Sequence, residues 1–294
     1  MRVGVTGASG LLGTALVPAL RNAGHEVLRI GRGRDADVRW NPAAGEIDAA
    51  ACAGVDAFVH LAGANVGQRW TMAHRRAILE SRVDGTALIA RTAAGLSPRP
   101  AVLVSASAVG IYGNAGDAAC DESARVGDDY LAQVCRAWES SADAARAAGI
   151  RTVHLRFGVI LSRHGGALGK LLPIFRLGAG GRVGSGSQWM SWLAMDDAVG
   201  IVRFALEHGE LSGAVNAAAP APVTNADFTE VLARVVRRPA LFPVPAFALN
   251  LVFGEMAQAT LLASQRVVPR RLLDAGYAFR HAILEPALRA AVHE

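Results

Sequence analysis

The stretch MRVGVTGASGLLGTALVPALRNAGHEVLRIGR, Met1 to Arg32, decides the fold. Arg2–Thr6 is a short run with β-branched residues and predicts a strand. Thr6-Gly7-Ala8-Ser9-Gly10-Leu11-Leu12-Gly13 is a glycine turn. Leu12 to Ala23 has the apolar spacing of a helix, closed by Gly24, and Glu26–Ile30 predicts the next strand. One such βαβ unit of about 30 residues is the setting a dinucleotide fingerprint requires. Gly7 permits the tight turn, Gly10 lets backbone approach a pyrophosphate, and Gly13 lets helix and strand pack closely. The helix N-terminus adds unpaired N–H groups and partial positive charge. Cofactor contacts are expected from Thr6, Gly7, Ser9, Gly10, Leu11 and Leu12.

The same unit suggests which dinucleotide. An NAD site usually carries an acidic residue at the end of the second strand, for the ribose 2′-hydroxyl. Here that strand ends Ile30-Gly31-Arg32-Gly33-Arg34, with no carboxylate before Asp35. A guanidinium fork matches phosphate oxygens. The expected cofactor is therefore NADP(H) rather than NAD, with Arg32 first and Arg34 second at the 2′-phosphate. The plainer reading is two solvated loop arginines.

Composition sets the bounds. The chain has 294 residues, 52% hydrophobic and 19% charged, enough for one large α/β domain or a domain with a small appendage. The net charge is +5, carried by 29 scattered arginines and a single lysine, Lys170. No basic run or basic–aromatic stripe argues for nucleic acid. Cys52, Cys120 and Cys135 have no metal-like spacing, the eight histidines form no ligand pair, and no metal is expected. The most apolar region, Pro239–Gln265, is broken by Pro243, Pro245, Asn250 and Glu255, so no membrane partner is expected. With a core strand at its start, the chain is expected in the cytoplasm.

Further along, Arg34–Gly54 reads as a loop region. Val55–Leu61 is a buried strand ending in Ala62-Gly63-Ala64-Asn65. Small residues at a strand's carboxyl end leave room for a ligand, so Leu61, Ala62 and Gly63 join the expected cofactor contacts, with Ser105 at the end of strand Ala101–Ser105. His60 reads as a satisfied core histidine rather than a catalyst. Thr71–Ala94 and Asp128–Ala148 are expected helices, and Arg151–Leu161 holds another strand. The fold class is α/β, a Rossmann-type doubly wound parallel sheet. After Ser162 the rhythm becomes glycine-rich. Asp196–His208 is a helix with Asp196 or Asp197 as N-cap, and Thr224 or Asn225 opens another over Asn225–Val236. The expected division is a dinucleotide-binding domain over 1–237, including a substrate-side segment over 163–192, and a small helical C-terminal domain over 238–294.

TGASGLLG, HLAGANV, SASAVGIYG and LRFGVIL at Leu155–Leu161 together resemble the extended short-chain dehydrogenase/reductase superfamily, the fold of nucleotide-sugar epimerases and dehydratases. VRWNPAAGEID, RWT at Arg69–Thr71, GGALGKLLPIFRLGAGGRVGSGSQWMSW and AGYAFR at Ala275–Arg280 are similar to one subgroup, the "epimerase family" proteins with a C-terminal domain of unknown function. The resemblance covers nearly the whole chain and implies an NADP-binding protein. In the superfamily a serine and a Tyr-xxx-Lys pair do the chemistry. The lysine, one turn on, lowers a tyrosine pKa that is otherwise about 10, and it also holds the nicotinamide ribose. By this resemblance Ser107 is the serine and Tyr130 the tyrosine, both catalytic, while the lysine position is Val134. Three substitutes are available: the nicotinamide cation itself, Lys170 folding in, or Tyr112 as the acid. Arg156 matches a residue near the nicotinamide end. Gly184–Asp197 matches the region reaching the sugar nucleotide, where Gln188, Trp189 and Trp192 offer stacking or hydrogen bonds. The diphosphate arginine expected there is missing, Arg182 being the nearest.

Two functions follow. The first is an NADP-dependent oxidoreductase or epimerase-like enzyme moving hydride to or from a small carbonyl or hydroxyl substrate. The second is an NADP(H) sensor with a degenerate site, favoured by Val134. The apolar Ala240–Leu262 stretch offers an interface on which a homodimer is possible, and the sequence does not fix the oligomeric state.

Overall fold

The computed structural model describes residues 1–293. Along the chain, strand β1 (Arg2–Thr6) leads through the glycine turn into helix α1 (Leu11–Asn22) and then β2 (Glu26–Gly31). Next come β3 (Val38–Asn41), β4 (Glu46–Ile47), β5 (Ala57–His60) and the long α2 (Met72–Gly95). They are followed by β6 (Val102–Ala108), a two-residue β7 (Ala119–Cys120), α3 (Tyr130–Ser140), α4 (Asp143–Ala147) and β8 (Arg151–Phe157). The second half holds β9 (Val159–Leu161), α5 (Gly166–Arg176), β10 (Trp189–Met190), β11 (Trp192–Ala194), α6 (Met195–Glu207) and β12 (Gly213–Ala217). The chain closes with β13 (Val223–Thr224), α7 (Asn225–Val236), α8 (Ala246–Phe253), β14 (Arg266–Val267), α9 (Arg270–Asp274) and α10 (Leu284–His293).

The main sheet has the order β12-β8-β6-β5-β1-β2-β3-β4 and is parallel throughout except for the β3–β4 pair at its edge. Strand order reverses at β1, which lies between β5 and β2, so the crevice beyond the β1 and β5 carboxyl ends is the topological switch point. Side chains alternate across the sheet. Val3, Val5, Val59, Val104 and Leu155 pack against α1 and α6. Phe58 and Leu103 face the other way, toward α2 and α4. A third core joins Leu168 and Phe175 of α5, Trp192 of β11 and Phe228 of α7 to Leu284 and Leu288 of α10. The last helix therefore shares its core with residues 161–235. No helix among the described residues is long and apolar enough to cross a membrane.

Three local expectations need correction. Residues 34–54 are not a loop: alternation buries Val38 and Trp40 and makes β3, which extends the sheet. The expected single helix over 128–148 breaks after Ser140, where the Ser141 hydroxyl donates back to the Ala137 carbonyl at 2.6 Å. The strand expected within 151–161 is β8; past Gly158, where a Cβ would stand 2.6 Å from the Ser191 carbonyl oxygen, β9 turns away to pair with β11. Neither Asp196 nor Asp197 is the N-cap of α6, which is Ala194. Asp197 is buried and accepts the main-chain N–H groups of Arg280 and His281 at 2.8 and 2.9 Å. Thr224 does cap α7, reciprocally with Asp227.

Candidate functional site: the switch-point crevice

The glycine turn at the head of α1 has the shape of a phosphate cradle. Gly7 is left-handed at φ 67°, and a Cβ there would lie 2.8 Å from the Leu61 carbonyl carbon. On Gly13 a Cβ would lie 2.2 Å from the Gly7 oxygen. Gly10 is the N-cap and brings no side chain, and the first turn carries no acidic residue, so the N–H groups that open this twelve-residue helix are free for an anion. Ser9 and Gly10 are exposed, and Leu11 lies against Gly165 and Gly166. Leu12 packs into the core, which leaves only its main chain to meet a ligand. Two hydroxyls expected at the cofactor are committed elsewhere. Thr6 Oγ1 bonds His60 Nδ1 at 2.7 Å and accepts from the N–H groups of Leu61 and Ala62, tying the ends of β1 and β5 together. Ser105 is fully buried and donates to the Ala106 carbonyl.

His60 is a core residue, as its place in the strand implied. It stands edge-on to Trp40, and burial lowers its pKa to about 3, so it is neutral. At the end of β2, Arg32 and Arg34 are exposed and make no side-chain hydrogen bond or ion pair with the described residues. Their neighbour Arg29 differs, being paired with Asp37 at 3.1 Å. Two unengaged forks thus stand where the second strand ends.

The reacting end is built differently from the expectation. Ser107 is buried near the carboxyl end of β6 and donates to Glu139 Oε1 at 2.7 Å. Glu139 is held by Arg156, from Nε at 2.8 Å and from Nη2 at 2.9 Å. Arg156 Nη1 also donates to the Tyr112 hydroxyl at 3.0 Å, which in turn donates to Asn216 Oδ1 at 2.7 Å. Burial opposes the Glu139 charge, yet the bonds and charge of Arg156 outweigh it and hold the carboxyl below the ordinary range. Burial also pushes the Tyr112 phenol up to about 12. Tyr112 and Arg156 are thus members of one buried network with Glu139 and Asn216.

Tyr130 is not beside Ser107. Its hydroxyl donates to the Arg75 carbonyl at 2.5 Å, and its ring lies under the Arg75 guanidinium and edge-on to Trp70. Helix register explains this. At 3.6 residues per turn, Tyr130, Val134 and Trp138 form one stripe, and that stripe faces α2. The stripe that faces β6 and the turn after it carries Leu131, Cys135 and Glu139: a Cβ on Gly110 would touch Leu131, and Cys135 packs with Val109 and Ile111. Cys135 is buried, and desolvation pushes its thiol up to about 12. The face opposite Ser107 thus offers an alkyl group and a neutral thiol where a tyrosine–lysine pair would stand. Glu139 was missed in the sequence; its signal was a carboxylate spaced to face the arginine of LRFGVIL.

Lys170 is exposed and donates to the Gly67 carbonyl at 2.7 Å, so it fastens α5 to the loop after β5. Gln188 lines a cavity of about 500 Å³ with Asn114, Asp117, Ser187 and Gln258. Its Nε2 donates to the carbonyls of Val183 and Leu261, so it also straps the glycine-rich segment to the C-terminal segment. Trp189 donates from Nε1 to Asp117 and stacks under Arg266, while Trp192 is wholly buried. No group of three or more His, Cys, Asp or Glu side chains among the described residues is arranged to hold a metal.

Comparison with known proteins agrees with this architecture. The profile of the NAD dependent epimerase/dehydratase family matches residues 3–218, and a domain of unknown function, DUF1731, matches residues 244–291. An epimerase family protein of Mycobacterium tuberculosis is 43% identical over 290 residues, 97% of this chain and 96% of the relative. The crystal structure of human epimerase family protein SDR39U1 with NADPH superposes with a TM-score of 0.91 at 35% identity, covering 100% of both chains. A nucleoside-diphosphate sugar epimerase from Corynebacterium glutamicum gives 0.81 at 37% identity, over 98% of this chain and 57% of that one. A Rossmann sheet with its phosphate cradle at β1 and a C-terminal segment packed beside it thus identifies the chain as a member of the NAD dependent epimerase/dehydratase family, in the branch that carries a C-terminal DUF1731 domain.

Proposed function

We propose that this protein binds NADP(H) and acts as a cofactor-responsive binding protein without the Tyr–Lys proton relay. Binding rests on the free N–H groups of α1, the side-chain-free turn at Gly7, Gly10 and Gly13, and the unengaged Arg32 and Arg34. Human SDR39U1, its 35% identical structural relative, was solved with NADPH. When bound, the nicotinamide supplies or takes up hydride. The observation that supports the rest is the face of α3 toward Ser107. Leu131 neither donates nor accepts a proton, Cys135 is a buried neutral thiol, and Glu139 is locked as a carboxylate by Arg156. The chain therefore holds a dinucleotide but brings no activated phenol to a substrate hydroxyl.

The C-terminal segment offers a readout. The loop after β5 and the start of α2 are tied to the C-terminal segment: Arg69 Nη1 donates to the Leu251 carbonyl at 2.9 Å, and Arg75 pairs with Glu255 at 2.6 Å. We take residues 238–294 as the module that reports occupancy and residues 163–192 as the wall it packs on. A second reading, hydride transfer to a small carbonyl, is favoured by one observation, the Ser107 hydroxyl near the end of β6. The test follows nicotinamide absorbance with NADPH against aldehydes, ketones and quinones. Tight binding with no Ser107- or Tyr130-dependent oxidation supports the binding protein. Turnover abolished by Ser107→Ala or Tyr130→Phe contradicts it.

A further inference from the structure

Arg82 leaves α2 on the side that faces the end of β5. Its Nη1 donates to the carbonyls of Ala64 and Ile78, both at 3.1 Å. A Cβ on Gly63 would stand 3.3 Å from its Cζ and 3.4 Å from each terminal nitrogen, so the guanidinium covers the glycine at the strand end. The group also lies over Trp138, with Cζ 4.8 Å from the ring centroid. Trp138 is one turn beyond Val134.

What is unusual is how little holds this cation. Among the described residues no carboxylate pairs with it, and Nε and Nη2 make no hydrogen bond. Two arginines of the central sheet are more fully engaged. Arg156 has Glu139, and Arg151 donates to the carbonyls of Ala205, Leu206 and Leu211. Arg82 is half-buried, and its Nε and Nη2 keep some access to solvent. Desolvation lowers the Arg82 pKa, and its charge is felt by both Tyr130 and Cys135. Tyr130 lies on the α2-facing stripe of α3 and Cys135 on the sheet-facing one.

We propose that Arg82 is the cation that replaces the absent lysine of α3, with Nε and Nη2 held ready for the ribose on the nicotinamide side of the bound dinucleotide. This rests on the NADP(H)-binding reading above. It assigns Arg82 a positioning role toward the cofactor, one that neither Lys170 nor Tyr112 is placed to fill.

The test is a binding titration of wild type, Arg82→Met, Arg82→Lys and Arg32→Ala with two ligands, NADPH and adenosine 2′,5′-bisphosphate, which lacks the nicotinamide half. The expected result is that Arg82→Met weakens NADPH by about tenfold or more, the size of losing a charge-assisted hydrogen bond, and leaves the bisphosphate within about twofold. Arg82→Lys recovers part of the loss. Arg32→Ala weakens both ligands. Wild-type affinity for NADPH in Arg82→Met overturns the proposal, and so does equal loss of both ligands in both Arg82 variants. If wild type binds neither ligand, it is the underlying NADP(H) reading that fails.

Discussion

Tyr130 and Glu139 lie on α3 about two and a half turns apart and so face opposite ways, and the Ser107 hydroxyl bonds to Glu139. The tyrosine is turned to α2 and the carboxylate to the sheet. Tyr130→Phe is expected to leave NADPH affinity unchanged and to cost no more than about 1.5 kcal/mol of stability, the value of one hydrogen bond. Val134→Lys is expected to be worse than neutral. Its ammonium would enter a buried stripe beside Arg82 and cost more than about 2 kcal/mol. Urea unfolding of both variants checks this; a stabilised, active Val134→Lys protein would refute the register.

The Glu139–Arg156 pair is buried, with side-chain exposures of 14% and 7%. Removing one partner strands the other charge. Glu139→Gln is therefore expected to lose about 3–5 kcal/mol in denaturant unfolding, far more than an exposed pair such as Arg76–Glu80 would.

The same groups set the acid limit of stability. Glu139 titrates below its ordinary value, so its contribution is complete above about pH 4.5 and is lost as pH falls through the depressed value. His60 and His154 are lowered by burial to about 3 and about 4. Below about pH 6.5 the unfolded chain takes up protons on these rings and the folded chain does not, so stability falls from there downward. Unfolding free energy measured from pH 8 to pH 4 should decline in acid, and the two imidazole resonances should not titrate between pH 8 and pH 5. A midpoint near 6.5 for either ring would contradict the burial argument.

At Gly13 a Cβ would press on the Gly7 carbonyl oxygen at 2.2 Å and on Ala8 Cα at 2.7 Å, both backbone atoms that cannot swing aside. Gly13→Ala is expected to distort the cradle and weaken NADPH by more than about tenfold. Calorimetric titration beside Gly33→Ala, where a Cβ meets open space, is the control.

Asp197 anchors the tail by accepting from the Arg280 and His281 N–H groups and from the Tyr277 hydroxyl at 3.3 Å. Asp197→Ala leaves these part-buried donors unpaired and is expected to cost about 1–3 kcal/mol. Limited proteolysis should then cut first near residues 276–282.

Much of this was legible in the chain because glycine spacing and apolar periodicity are local. β1, α1 and β2 lie within a residue of their expected positions, and the resemblance of SASAVGIYG and LRFGVIL carried the fold. The reacting end was not legible for a reason of register. A Tyr four residues before Val134 suggests the familiar pair, yet which stripe of α3 meets the sheet is decided by Glu139 reaching Arg156 on β8, a contact across 17 residues of chain. The partners of two hydroxyls were hidden for the same kind of reason. Thr6 and Ser105 stand at strand ends, but their partners are main-chain or imidazole atoms that only the assembled sheet brings near. Residues 34–54 looked like loop because β3 is four residues long and gains its place only by pairing with β2.

The most direct measurement is a fluorescence titration of the purified protein with NADPH and NADH, repeated with Arg32→Ala. The account predicts saturable binding with NADPH favoured by at least about tenfold, and loss of that preference in the variant. No binding of either dinucleotide, or a preference unchanged by Arg32→Ala, would contradict it.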